Sequence, residues 1–208
     1  MRAVIFDLDG TLIDAAPDIA SKLNSVLAAD GHNPLTLQEV RCMIGDGATI
    51  LLERAFAARG AAMQPFHLER FLTIYAEDPV VDTVIYDGAL EALEILRAQG
   101  RPLGICTNKP TLATREVLDA LGLTRLFGAV VGGDATPYRK PDPRHLAAVL
   151  AGLEVSDAIM VGDHANDMKA AAGLKLPSIF CAWGYGKGEG DAQANTPAEL
   201  PEIIAALG

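Results

Sequence analysis

The sequence predicts an α/β protein: a doubly wound parallel sheet with a Rossmann-like core and an inserted small helical cap domain. Two patterns point there. Short apolar strands alternate with amphipathic helices from Leu103 onward, and an apolar opening segment runs straight into two aspartates. The third observation is a separation. Phe6 closes the first strand and the next clear strand begins near Leu103, although a parallel crossover needs only one helix. What lies between reads largely as helix. Residues 15–80 are therefore expected to form the cap domain, with 1–14 and 81–208 forming the core that carries the catalytic site.

Taken in order, Met1 to Phe6 is a strand. Ala16-Pro17-Asp18 opens a helix whose apolar residues Ile19, Leu23, Val26 and Leu27 recur at helical spacing until Asp30-Gly31 ends it. Thr36 is placed to cap a helix over Leu37–Met43, and the Gly45-Asp46-Gly47 turn leads into another over Ala48–Arg59. Phe66–Glu77 is a further amphipathic helix, and Gly88–Gln99 returns the chain to the sheet. Strands follow at Pro102–Cys106, Ala129–Val131, Ala158–Val161 and Ser178–Cys181. The helices between them are expected over Thr111–Leu121, Pro143–Leu150 and Asn166–Ala172, with a last one near Glu199–Leu207.

Composition narrows the function classes. The chain has 208 residues, half of them hydrophobic, and a net charge of −10, which disfavours nucleic acid as a partner because phosphate backbones need clustered Lys and Arg. A small phosphorylated metabolite remains possible where local cations outweigh the overall field. Cys42, Cys106 and Cys181 are scattered and lack metal-ligand spacing, as expected of reduced cytoplasmic thiols. No apolar run approaches membrane-spanning length and no secretory leader is visible, so a cytoplasmic protein without membrane attachment is expected. Monomer and homodimer both remain open.

The chemistry concentrates at strand ends. Asp7 and Asp9 follow the first strand, Thr107-Asn108-Lys109 the second, Lys140 lies beyond the third, and Asp163 with Asp167 follows the fourth. Ligands of open parallel sheets bind at these carboxyl ends. Strand side chains alternate, so Asp7 and Asp9 project the same way while the backbone stays extended. Two such carboxylates repel, and a divalent cation between them resolves the conflict. Asp163 offers a third oxygen ligand of the kind Mg²⁺ takes. Asp14 reads as a cap or turn residue and Asp134 as a strand terminator.

Asp7-Leu-Asp-Gly-Thr11, Thr107-Asn108, Lys140-Pro-Asp-Pro143 and Gly162-Asp163 with Asp167 stand in the order of the motifs of the haloacid dehalogenase-like hydrolase superfamily, which the chain resembles. Ile44-Gly-Asp-Gly-Ala48, Thr107-Asn-Lys-Pro110, Gly132-Gly-Asp134 and Gly184-Tyr-Gly186 resemble its phosphoglycolate phosphatase group. The resemblance implies a Mg²⁺-dependent phosphatase working through an aspartyl-phosphate. Asp7 would be nucleophile and Asp9 general acid and base, with Lys140 offsetting charge and Thr107 and Asn108 binding the phosphoryl oxygens. Asp7, Asp163 and Asp9, the last through its carbonyl, would hold the metal, with Asp167 supporting. His164 departs from the Ser or Thr common in the fourth motif and receives no catalytic role.

The implied substrate is 2-phosphoglycolate. Its carboxylate would meet Gly45, Asp46 and Gly47 at a helix N-terminus, with Arg41 as the nearest cation and Lys22 as a weaker choice. The alternatives are a phosphosugar phosphatase or mutase of the same superfamily, and a receiver-like switch whose phospho-aspartate persists as a signal.

Overall fold

The computed structural model describes all 208 residues. Five strands, β1 (Ala3–Phe6), β4 (Leu103–Cys106), β5 (Ala129–Val131), β6 (Ala158–Gly162) and β7 (Ser178–Cys181), are joined by a short edge strand, β8 (Ala192–Ala194). All pair in parallel in the order β5-β4-β1-β6-β7-β8. The order reverses at β1: the chain builds outward through β4 and β5, then returns to lay β6 on the other side. Phe6 pairs with Ile105 on one side and Val161 on the other. The next residues of all three strands therefore emerge together, at the crevice where such sheets bind ligands.

Strands β1, β4, β6 and β7 are buried on both faces, which is why they read as unbroken apolar runs. Val4 and Phe6 point into the larger core, with Ile105, Val161 and Ile179 beside them. Ala3 and Ile5 point into a smaller one with Leu146, Val149, Ala170 and Ala171. Helices α5 (Ala89–Ala98), α6 (Thr111–Ala120) and α9 (Leu200–Leu207) cover the first face; α7 (Pro143–Gly152) and α8 (Ala165–Gly173) cover the second.

Four helices precede α5 in the crossover from β1 to β4: α1 (Ala16–Ala29), α2 (Leu37–Arg41), α3 (Ala48–Ala57) and α4 (Pro65–Glu77). Thr36 and Glu39 close a reciprocal cap on α2, which stops at Arg41 rather than Met43. Leu23, Leu27, Leu52, Phe56 and Phe71 of this insert join the larger core without a break. The chain crosses into the insert at β2 (Ile13–Asp14) and returns at β3 (Val84–Ile85), and the two crossings pair antiparallel. Asp18, buried at the start of α1, ties the returning chain down by accepting from the N–H groups of Val81, Asp82 and Thr83 and from the Thr83 hydroxyl.

Candidate active site

Asp7 leaves β1 nearly buried, and its Oδ1 accepts from the Leu8 N–H at 2.8 Å and lies 2.9 Å from Lys140 Nζ. Lys140 in turn donates to Asp167 Oδ1 at 2.6 Å, and the other Asp167 oxygen accepts from the His164 N–H at 3.0 Å. Burial alone would lower the Lys140 pKa, but the Asp167 and Asp7 carboxylates outweigh it and raise the value. Burial raises the Asp167 pKa against the opposing pull of Lys140.

Asp9, two residues on, meets a different lysine. Lys109 Nζ lies 3.2 Å from both Asp9 oxygens and donates to the Tyr75 hydroxyl of α4 at 2.8 Å. The Asp9 pKa is raised, first by burial and then, against Lys109, by the repulsion of Asp7 and Asp163. Asp163 is fully buried at the end of β6, where Thr11 Oγ1 donates to one oxygen and the Tyr185 and Gly186 N–H groups donate to the other. Gly10 makes the turn beside it: φ is +86°, and a Cβ there would overlap the Asp163 carboxylate. His164 Nδ1 lies 3.1 Å from Asp163 Oδ2. Burial lowers the His164 pKa, yet Asp163 outweighs it and lifts the value to about 9.

Asp7, Asp9, Thr107, Asn108 and Lys109 line one cavity beneath the insert, together with Gly45, Gly47 and Ala48 at the start of α3 and the side chains of Ile19, Ile44, Leu51 and Phe71. The Asn108 side chain is fully engaged. Its amide donates to the carbonyls of Gly45 and Lys140 and accepts from the Lys140 N–H, so it joins the insert loop to the loop carrying the buried lysine. Gly45 has φ +126°, and a Cβ there would stand 2.6 Å from His164 Nε2.

Two residues expected at the substrate lie elsewhere. Asp46 turns away from the cavity to Arg54 and to Asn166 Nδ2, and it makes no cap on α3. Arg41 pairs with Asp14 Oδ2 at 2.8 Å beside the Tyr185 ring, and does not line the cavity. Lys22 is held by Asp18. Lys109 and Tyr75 received no role from the sequence. A lysine at the carboxyl end of a buried strand, facing an excess of acids, was the available signal for the first; the second is one aromatic on an amphipathic helix and carried none.

The donor set fits a divalent cation. Four carboxylates outnumber two ammonium groups here, and the raised His164 pKa is what surplus negative charge does to a neighbouring base. Oxygen donors from Asp7, Asp9 and Asp163 suit a hard ion. The ligand atoms of Asp163, His164 and Asp167 also lie within 4.8 Å of one another, with Asp167 paired to Lys140 through Oδ1.

The family model of the haloacid dehalogenase-like hydrolases matches residues 1–174. The chain belongs to that family, and it is a phosphoric monoester hydrolase. Within the family it is similar to phosphoglycolate phosphatases. That of Cereibacter sphaeroides is 44% identical over 189 residues, covering 89% of this chain and 87% of the relative. That of Caulobacter vibrioides is 42% identical over 188 residues, covering 88% and 79%. The crystal structure of a predicted phosphoglycolate phosphatase from Haemophilus somnus superposes with a TM-score of 0.91 at 28% identity, covering 98% of each chain. No helix of this chain is long and apolar enough to cross a membrane.

Proposed function

We propose that this chain is a Mg²⁺-dependent phosphatase that hydrolyses 2-phosphoglycolate through an aspartyl-phosphate, with residues 15–80 acting as a cap over the site. The observation that carries the reading is the cavity shared by Asp7, Asp9, Thr107 and Asn108, with Lys140 pinning Asp7 from behind. Asp7 Oδ1 is occupied by Lys140 and the Leu8 N–H, which leaves Oδ2 the less engaged oxygen. Asp7 attacks phosphorus, the bond from phosphorus to the ester oxygen breaks, and Asp9 gives that oxygen its proton. In the second step Asp9 takes a proton from water, which attacks phosphorus and releases Asp7. Lys140 balances the charge on Asp7 throughout, and Thr107 and the Asn108 N–H hold the phosphoryl oxygens. Asp7, Asp163 and the Asp9 carbonyl would hold Mg²⁺, which would supply further charge stabilisation when bound.

Phosphate release from purified protein tests this. Turnover of 2-phosphoglycolate is expected with Mg²⁺, none in excess chelator, and a fall of at least ~10³-fold in Asp7→Asn with the circular dichroism spectrum unchanged. Undiminished turnover in chelator removes the metal from the reading. Readily measured turnover by Asp7→Asn removes the nucleophile.

A further inference from the structure

Of the sixteen residues that line the cavity, Lys109 is the one cation. Lys140 sits behind Asp7 and is shared with Asp167, Lys22 belongs to Asp18, and Arg41 belongs to Asp14. The wall contributed by the insert is largely apolar, with Ile19, Ile44, Leu51, Phe71 and Leu72. An anionic group entering with a phosphoester therefore meets a single side-chain positive charge, beside the N-terminus of α3 at Gly47 and Ala48.

An ammonium group has three N–H donors. Asp9 takes the Lys109 ammonium as a near-symmetric fork with both oxygens at 3.2 Å, and the Tyr75 hydroxyl accepts at 2.8 Å, so one of the two longer Asp9 contacts is the donor that an incoming anion can take over. The location decides what that donor can reach. In the reaction above, Asp9 stands at the ester oxygen of the leaving alcohol. A carboxylate one carbon from that oxygen lies within the span of a cation already bound to Asp9.

Resting on the phosphatase reading above, we propose that Lys109, held between Asp9 of the sheet and Tyr75 of the insert, is the specificity-determining cation for phosphoesters whose alcohol carries a carboxylate. Tyr75 is its positioning residue, aiming the ammonium when the insert lies over the sheet.

The test is a ratio: kcat/KM for 2-phosphoglycolate over kcat/KM for 2-hydroxyethyl phosphate, which has a hydroxymethyl group in place of the carboxylate. Lys109→Met disturbs Asp9 and so slows both substrates. Loss of one charge-assisted contact is expected to lower the ratio by a further ~10- to 100-fold, with Lys109→Arg recovering part of it. Tyr75→Phe, which keeps the core volume and the charge, is expected to lower the ratio several-fold and serves if Lys109→Met does not fold. Equal losses on both substrates in a folded Lys109→Met, or an unchanged ratio in Tyr75→Phe, overturn the proposal. A wild-type ratio near one is a separate result: it overturns the phosphoglycolate assignment, and with it the role of Lys109, while leaving the phosphatase chemistry intact.

Discussion

Lys140 reaches Asp7 and Asp167 from the loop after β5, and all three groups belong to the sheet and its connections. Lys109, at the end of β4, divides its ammonium between Asp9 of the sheet and Tyr75 of the insert. Both lysines are buried, and both have pKa values raised by acidic neighbours despite the opposing effect of burial. They differ in what holds them. The partners of the Lys140 ammonium come from the sheet side alone, whereas those of Lys109 include Tyr75 of α4. In the function proposed above, Asp7 is thus held by the sheet side alone, while recognition of the leaving group depends on a contact with the insert.

The largest expected effect comes from breaking the first of these arrangements. Lys140→Met leaves Asp7 and Asp167 buried together without a cation, a change that costs about 3–5 kcal/mol in comparable buried pairs. Thermal unfolding should show that loss, and turnover should fall similarly for every phosphoester. A Lys140→Met variant that discriminates between substrates as Lys109→Met is expected to do would erase the distinction between the two lysines.

An intermediate effect is expected where the insert loop meets the sheet. Gly45→Ala brings a Cβ against His164 and should lift the loop, lowering kcat/KM by ~10-fold or more, with His164→Ser recovering part of the loss. Gly31→Ala is the control: φ is +78° and nothing lies within 4 Å, so only the cost of left-handed backbone is expected, about 1–2 kcal/mol. If the two variants lose activity equally, contact between the loop and His164 does not matter to turnover.

The smallest effect belongs to the insert alone. The Thr36 N–H, Arg59 and the Thr36 hydroxyl hold the Glu39 pKa at about 2, against an ordinary 4.5. A depressed acid stabilises the fold fully above its unfolded value and loses that contribution as pH falls through the folded one. The difference in melting temperature between wild type and Glu39→Gln should therefore be largest near neutrality and shrink between pH 4.5 and pH 2, with kcat/KM little changed. A difference that grows on acidification would contradict the assignment.

The sequence was most legible where burial is two-sided. The runs Ala3–Phe6, Leu103–Cys106 and Ser178–Cys181 announce strands because both faces are covered, and the polar groups after the first two, Asp7 with Asp9 and Thr107 to Lys109, are conspicuous against such apolar stretches. β2 and β3 escaped because two residues cannot display a period of two. Ala192–Ala194 escaped because Ala-Gln-Ala has no β-branched or aromatic residue. At the last helix, regular α structure begins at Leu200, after a 3₁₀ turn over Pro197–Glu199. At the site, Lys140 could be read from its motif, but the pairing of Arg41 with Asp14 and of Lys109 with Tyr75 depends on how the insert is set down, and no local pattern encodes that.

The paired crossings and Asp18 have a mechanical meaning. An insert joined to its host by two separate peptides could rock about either one. Here β2 and β3 are hydrogen-bonded into a ribbon, and a single carboxylate from α1 clasps the chain just before β3. The two peptides thus form one double-stranded strap. Tyr75 and Gly45, which meet Lys109 and the Asn108 side chain, are both carried to the site through that single attachment.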